Sequence, residues 1–155
     1  FDSKPGTGAM ILTVFAGKMP GYTRGGRNFI HVKDAATGVI NALEKGEVGH
    51  NYILGNKNMS YKEAFKLIAD TLNVKKPSIY LPPFISLAYS GLSTLISRVS
   101  GKPPRVSVSM ARNSNDGCYF SAAKAVKYLD LPQTEIDIAI RECFDWLVQN
   151  GYVRS

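Results

Sequence analysis

The order of apolar and polar positions in the first third of the chain predicts a strand, a helix and a second strand. Residues 28–32 (NFIHV) form a short apolar run with high β-propensity, and Asp34 is placed to cap a helix N-terminus. Apolar residues then recur at helical spacing, namely Ala35, Ala36, Val39, Ile40 and Leu43. Gly46 and Gly49 follow this helix, and residues 51–54 (NYIL) have the pattern of a strand. Together these elements predict a crossover unit of an α/β protein.

Two further helices carry clear signals at their N-termini. Ser60 and Glu63 form the S-x-x-E capping box, which predicts a helix over residues 60–72. Thr134 is predicted to begin the last helix, with Asp137 in its first turn. The apolar stripe of that helix consists of Ile136, Ile140, Cys143, Phe144 and Leu147.

Weaker patterns predict several shorter elements. They are a helix over 9–16 ending at Gly17, a strand over 77–81, a helix over 106–112, a strand over 118–120 and a helix capped by Ser121. Residues 18–26 (KMPGYTRGG) form a loop whose Gly25 and Gly26 are more typical of a turn than of a ligand contact. There are no internal repeats.

Residues 84–99 form a long apolar segment with no charged residue before Arg98. A transmembrane helix needs about 20 apolar residues, and this segment is shorter and contains four serines and a glycine. It is therefore not expected to span a membrane. A buried helix is favoured, and the alternative is a helix whose apolar face lines a pocket or touches a bilayer surface.

Composition indicates a single globular domain that extends over residues 1–155. Hydrophobic residues make up 45% and charged residues 20%, which is ordinary for a domain with a real core. The formal charge of +7 raises the question of nucleic-acid binding. The basic residues are scattered, however, and no RNA-recognition, zinc-finger or arginine-rich signature is present, so nucleic acid is not an expected partner. A solvated basic surface, or a basic surface that attracts an acidic substrate, is a better interpretation.

The N-terminal residues and the cysteines bear on origin and compartment. The chain opens at Phe1 without a signal-peptide pattern, from which we expect a fragment of a longer protein. Cys118 and Cys143 lack metal-ligand spacing, and reduced thiols in a cytoplasmic protein are favoured over a disulfide.

Motifs for cofactor binding or catalysis are absent from the sequence. No Walker-type loop, H-E-x-x-H, C-x-x-C or G-x-S-x-G is present, so we predict no catalytic residue and no metal ligand. His31 lies alone in an apolar run and is interpreted as structural, while His50 is expected on a surface loop. The residues alone therefore predict an α/β domain without a visible reaction centre.

Five segments nevertheless resemble one enzyme family. RNFIHVKDAA (27–36) is similar to the R-D-Y-I-H-V-x-D-x-A stretch of the NAD(P)-dependent epimerase/dehydratases, the extended short-chain dehydrogenases/reductases. NYILGNKNMSYKEAFKLIADTLN (51–73) and FSAAKAVKYLDL (120–131) resemble later segments of that family, and the closing helix followed by NGY also fits. IYLPPFISLAYSGLSTLISRVSGKPPRVS (79–107) resembles its dihydroflavonol-reductase branch. The resemblance covers nearly the whole chain.

This family also has two motifs that the chain lacks. Its members bind dinucleotide on an N-terminal G-x-x-G-x-x-G turn and use the Tyr of Y-x-x-x-K as acid/base, and neither motif occurs here. The resemblance therefore implies the C-terminal, substrate-binding portion of a Rossmann-type α/β enzyme, mostly helical with a few short strands. NAD or NADP would be held by an N-terminal cofactor domain, and none is expected on this chain alone.

The resemblance also suggests substrate-binding residues. Arg27 falls where nucleotide-sugar relatives can contact a diphosphate, and Arg112 could match a second such arginine. Met19, Tyr22 and the face of residues 84–95 would line the pocket. His31 and Asp34 fall on the H-V-x-D positions, where their implied role is to fix the strand-to-helix turn. Asn28 stands where relatives often carry Asp, which weakens the nucleotide-sugar analogy.

Three hypotheses of function result. The leading one is the substrate-binding portion of a dihydroflavonol-reductase-like NAD(P)-dependent oxidoreductase that acts on a small, fairly apolar carbonyl or alcohol. The second is the same portion of a nucleotide-sugar epimerase or dehydratase, for which Arg27 would be essential. The third is a non-catalytic module that docks a partner or lipid surface through residues 84–99.

Self-association is a further expectation. If residues 51–54 and the helix after Asp34 normally pack on a cofactor domain, the chain by itself exposes apolar surface and a strand edge. Such surfaces bind each other, so we expect the isolated chain to associate with itself.

Overall fold

A computed structural model describes residues 6–85, 88, 91, 97 and 114–153. The elements delimited within the described residues are five helices and three short strands. In chain order they are α1 (Gly6–Phe15), β1 (Gly26–Phe29), α2 (Val32–Lys45), β2 (Lys57–Ser60), α3 (Tyr61–Thr71), β3 (Gly117–Cys118), α4 (Ala123–Leu129) and α5 (Ile136–Gln149). The fold class predicted from the sequence, an α/β portion that is mostly helical with a few short strands, is confirmed.

The sheet has the strand order β2-β1-β3. β1 pairs antiparallel with β2, where Arg27 lies opposite Met59, and parallel with β3, where Arg27 lies opposite Cys118. The predicted second strand over residues 51–54 is wrong. Within the described residues that segment forms no strand, and the strand that follows α2 is the polar β2. β1 also starts and ends earlier than the predicted 28–32 because the chain turns into α2 at His31.

The N-terminus of α2 is capped by His31, so the prediction that Asp34 caps this helix is wrong. The imidazole Nδ1 of His31 accepts a hydrogen bond from the backbone N–H of Lys33 at 3.0 Å. This bond satisfies one of the unpaired N–H groups of the first turn, and the helix begins three residues earlier than expected. Asp34 lies inside the first turn and is buried.

The apolar face of α2 is exposed. Gly38 on one side of the helix lies against the side chains of Leu54 and Leu131. Val32 is 76% exposed, Leu43 is 85% exposed, and Val39 and Ile40 are each 56% exposed. A stripe of this width normally faces a core. In this structure it faces solvent.

The main core lies between α1, α3 and α5. The capping box that begins α3 is confirmed, with both reciprocal hydrogen bonds between Ser60 and Glu63. The predicted stripe of α5 is also confirmed as its buried or half-buried face, although the helix begins at Ile136 rather than at Thr134. Buried residues of this core include Ile11, Val14, Phe65, Ile68, Ile136 and Ile140. A second, smaller cluster joins α4 to Tyr52 and Leu54.

The weaker predictions have mixed outcomes. The first helix ends before Gly17 as expected, and Gly17 has a positive φ of 65°. Residues 77–81 contribute only one bridge, between Tyr22 and Tyr80, and the predicted strand over 118–120 is Gly117–Cys118. Ser121 accepts a hydrogen bond from Ala123 N at 3.3 Å just before α4.

Other predictions fall largely on residues outside the description. The helix over 106–112, with Arg112, lies wholly outside the described residues. Of the apolar segment over 84–99, residues 84 and 85 belong to a helical turn that starts at 83. Among the described residues, none of the helices combines the length and apolarity needed to cross a bilayer.

Candidate substrate-side site at the start of α3

The first turn of α3 brings together two of the residues singled out from the sequence. The Arg27 guanidinium lies 6.0 Å from the ring centroid of Tyr61, and the Lys62 ammonium lies 5.8 Å from that of Tyr22. Tyr61 and Lys62 are the first two residues of α3. Tyr22 and Arg27 therefore meet the same helical turn, although they come from a loop and from β1. We call Tyr22, Arg27, Tyr61, Lys62 and Tyr80 the α3 cluster.

Tyr22 is fixed by backbone pairing as well as by its ring. Its N–H donates to Ile79 O at 2.9 Å, and its carbonyl accepts from Leu81 N at 2.8 Å. The rings of Tyr22 and Tyr80 lie 5.9 Å apart at 50°, a favourable tilted contact. The loop is thereby held in one position relative to β1 and α3.

Met19 packs against the main core and is half-buried. Its side chain therefore anchors the loop to the core and is only partly available at the surface. Arg27 is exposed, and its position on β1 is fixed on both sides by the paired strands.

The α3 cluster combines cations with aromatic faces. Arg27 offers planar donors suited to carboxylate or phosphate. Tyr80 is exposed and Tyr22 half-buried, so their rings can contact a flat apolar group, whereas Tyr61 is buried in the main core. The described residues hold no group of three His, Cys, Asp or Glu placed to bind a metal ion.

Beside the cluster, the carboxylate of Glu63 is held in the capping box. Its Oε2 accepts from the backbone N–H of Ser60 at 2.8 Å and from its hydroxyl at 2.7 Å. These hydrogen bonds, the hydroxyl first, lower the pKa of Glu63 below its ordinary value of 4.5. The charge of Lys57 lowers this pKa further.

Asn28 is committed to internal hydrogen bonds. Its amide nitrogen donates to Asn58 Oδ1 at 2.8 Å and to the Phe120 carbonyl at 3.2 Å, and its oxygen accepts from Asn56 N at 3.0 Å. An aspartate could not make the two donations. The departure from the relatives' Asp at this position therefore has a local structural reason.

A groove lies on the other side of β1, between the start of α2 and α5. It has a volume of about 610 Å³, and its lining is mainly apolar, including Phe29, Val32, Ala139, Cys143 and Trp146. His31 and Glu142 lie in its wall with His31 Nε2 3.3 Å from the Glu142 carboxylate, and Lys33 Nζ approaches that carboxylate to 2.5 Å. Lys33 lowers the pKa of Glu142, and burial raises that of the Cys143 thiol.

Both nitrogens of His31 are thus engaged, which agrees with the structural role predicted for it. Because Nδ1 accepts the Lys33 N–H, Nε2 is the nitrogen that donates to Glu142.

Comparison with known proteins finds relatives that match this chain along nearly its whole length. A putative dihydroflavonol 4-reductase from Synechocystis sp. is 30% identical over 160 residues, which cover 100% of this chain and 47% of that protein. The crystal structure of gox2253 is 32% identical with a TM-score of 0.76, and the match covers 97% of this chain and 46% of that one. PA4631, a nucleoside-diphosphate-sugar epimerase from Pseudomonas aeruginosa, is 26% identical with a TM-score of 0.74, over 97% and 44% of the two chains.

The chain matches the C-terminal part of extended short-chain dehydrogenase/reductase structures. It spans less than half the length of these relatives. No protein-family model matches it.

More distant structures share the fold alone. They include RMD from Pseudomonas aeruginosa complexed with NADPH, at 16% identity and a TM-score of 0.55. A UDP-glucose 4-epimerase from Bifidobacterium longum in complex with NAD+ and UDP, at 19% identity, has the same TM-score of 0.55.

Sequence reasoning found Tyr22 and Arg27 but missed the other members of the α3 cluster. Tyr61 and Lys62 directly follow the capping residue Ser60, so the predicted helix start could have directed attention to them. Tyr80 had no such signal, because its bridge and its ring contact with Tyr22 join residues that are distant in the chain.

Proposed function

We propose that this chain is the substrate-binding portion of a cytoplasmic NAD(P)-dependent oxidoreductase of the dihydroflavonol-reductase-like type. The observation that carries the proposal is the relation to the Synechocystis protein along the whole chain. The α3 cluster supports it, since the rings of Tyr22 and Tyr80 beside the start of α3 suit a flat, fairly apolar substrate.

In this proposal the chain binds and orients a carbonyl or alcohol substrate, and a nucleotide-binding half supplies NAD or NADP and the acid/base. The described residues have roles that fit this division. Arg27 and Lys62 set the charge at the edge of the cluster, and Tyr22 and Tyr80 provide a fixed apolar face. Hydride transfer itself is the chemistry of the dinucleotide.

A second candidate is a nucleotide-sugar epimerase or dehydratase. It is favoured by the similarity to PA4631 and by the exposed guanidinium of Arg27. On this alternative, Arg27 contacts the substrate diphosphate through paired N–H donors.

The two candidates are separated by substrate kinetics on a chimera in which the N-terminal half of the Synechocystis relative precedes this chain. We expect NADPH- or NADH-dependent reduction of an apolar ketone such as a dihydroflavonol, with a KM that changes less than about twofold in Arg27→Ala. Arg141→Ala, at an exposed position on α5, is the matched control.

The alternative predicts the reverse result. UDP-glucose would be the substrate, and Arg27→Ala would weaken its binding about tenfold to a hundredfold because a charge-assisted hydrogen bond is lost. That outcome, with no turnover of the ketone, would overturn the reductase proposal.

A further inference from the structure

Lys62 occupies a position that the stability of α3 does not explain. It is exposed in the first turn of this helix, directly after Tyr61. The N-terminal end of a helix carries a partial positive charge, so acidic side chains stabilise it and a lysine there is unfavourable. Proteins depart from such local rules most often at functional sites. The reason for Lys62 is therefore sought outside the helix.

The surroundings of Lys62 are aromatic rather than acidic. Its ammonium lies 5.8 Å from the ring centroid of Tyr22, and the ring of Tyr80 lies 5.9 Å from that of Tyr22. The ion pairs between described residues involve other cations, namely His31, Lys33, Lys45 and His50. No carboxylate of the described residues pairs with Lys62, so its charge is available to a ligand.

Lys127 on α4 offers a comparison. Its ammonium lies 5.1 Å from the ring centroid of Tyr128, a similar contact between a cation and a ring. Within the described part of the chain, no second aromatic ring pairs with Tyr128. Lys62 instead adjoins two rings, and the two backbone hydrogen bonds of Tyr22 hold the first of them in place. A charge and a stacking surface thus lie side by side.

We propose that Lys62 selects substrates in which a flat aromatic carbonyl compound carries a carboxylate. The substrate ring packs against Tyr22 and Tyr80, and its carboxylate meets the ammonium of Lys62. This inference rests on the proposed function, to which it adds a substrate class. Lys62 acts in binding and specificity, and hydride transfer stays with the dinucleotide.

Arg27 is a less suitable partner for such a substrate. Its guanidinium lies 6.0 Å from the ring centroid of Tyr61, and that ring packs in the main core with only 8% of the residue exposed. The ring beside Arg27 is therefore not available for stacking. Lys62 is the cation beside the exposed Tyr80 and the half-buried Tyr22.

The test is binding of two matched probes to this chain, measured by NMR titration. Acetylbenzoate is a flat aromatic ketone with a carboxylate, and acetylbenzamide is its neutral counterpart. We expect acetylbenzoate to bind about threefold to tenfold more tightly, since charge attraction at an exposed site is modest. Added salt should reduce this preference, because it screens the charge of Lys62.

Variants assign the preference to a residue. Lys62→Met should remove the preference and leave the affinity for acetylbenzamide unchanged, whereas Lys62→Arg should keep it. Tyr80→Leu should weaken the binding of both probes. Lys127→Met is the matched control, because it also removes an exposed lysine that lies over a tyrosine ring.

Each of three results would overturn the inference: equal binding of the two probes to the wild type, no binding of either probe, or an equal loss of preference in Lys62→Met and Lys127→Met. The proposed function is tested separately, by turnover of the chimera with NADPH or NADH. Lys62-dependent binding without turnover of any ketone contradicts the proposed function alone. Equal turnover of acetylbenzoate and acetylbenzamide contradicts the inference alone.

Discussion

Asp34 and Thr134 stand 100 residues apart and are joined by two hydrogen bonds. The backbone N–H of Thr134 donates to Oδ2 of Asp34 at 2.7 Å, and its hydroxyl donates to Oδ1 at 2.8 Å. Asp34 is only 4% exposed. The carboxylate that was predicted to cap α2 therefore ties the first turn of α2 to the segment that leads into α5.

Replacing this carboxylate should destabilise the fold. Asp34→Asn would place an N–H₂ group opposite one of the two Thr134 donors, and we expect a loss of about 2 kcal/mol in the free energy of unfolding. Urea unfolding followed by circular dichroism measures it. Asp145→Asn, at an exposed position of α5, should change the stability by less than about 0.5 kcal/mol, and equal values for the two variants would contradict this account.

The cap of α2 can be tested by comparing two replacements of His31. His31→Ala removes the acceptor for Lys33 N and should cost about 1 kcal/mol or more, whereas His31→Asn keeps a capping oxygen and should recover part of that loss. The expected order of unfolding midpoints is wild type, then His31→Asn, then His31→Ala. If the alanine variant were as stable as the asparagine variant, the cap would not be the reason for the position of His31.

The capping box of α3 predicts a pH dependence. Because the pKa of Glu63 is lowered in the folded chain, its stabilising contribution is fully present above the ordinary value of 4.5 and is lost as pH falls through the lower, folded value. Ser60→Ala should raise the pKa of Glu63 and cost about 1 kcal/mol at pH 7. The stability difference between wild type and Ser60→Ala should shrink in acid.

This difference is measured by urea unfolding at several pH values, with the Glu63 pKa followed by NMR. Ser121→Ala is a useful comparison, since Ser121 accepts only the Ala123 N–H and has no reciprocal glutamate. A stability difference between wild type and Ser60→Ala that is independent of pH would contradict the capping-box account.

The exposed apolar face of α2, formed by Val32, Val39, Ile40 and Leu43, predicts that the isolated chain self-associates at high concentration. We expect concentration-dependent self-association that strengthens with added salt, because salt screens the +7 charge that opposes it. Sedimentation velocity should show that Leu43→Glu weakens association at least about tenfold, whereas Ile138→Glu has little effect. A strictly monomeric wild type at all salt concentrations would show that this apolar face does not mediate self-association.

The elements that sequence reasoning predicted correctly are those with local signals. The S-x-x-E box of Ser60 and Glu63 and the stripe of α5 each lie within one helix, so neighbouring residues suffice to predict them. β2 was missed because its stability is not local. Its Asn58 side chain pairs with both backbone groups of Phe120 and with Asn28, which are distant in the chain.

The predictions for α2 and residues 51–54 fail for a related reason. The sequence of α2 has an apolar face that is normally buried, and residues 51–54 have the pattern of a paired strand. Among the described residues, no strand pairs with residues 51–54, and the apolar face of α2 stays exposed. The candidate site was also predicted only in part. The resemblance identified Tyr22 and Arg27, but their contacts with Tyr61, Lys62 and Tyr80 depend on how residues 18–26 pack in the fold.

The measurement that tests the central claim most directly is oxidation of NADPH and NADH, followed by absorbance, with the isolated chain and with the chimera in the presence of an apolar ketone. We predict turnover by the chimera and no binding or oxidation of either dinucleotide by the isolated chain. Dinucleotide-dependent turnover by the isolated chain would contradict the account, because the chain would then carry its own cofactor site and acid/base.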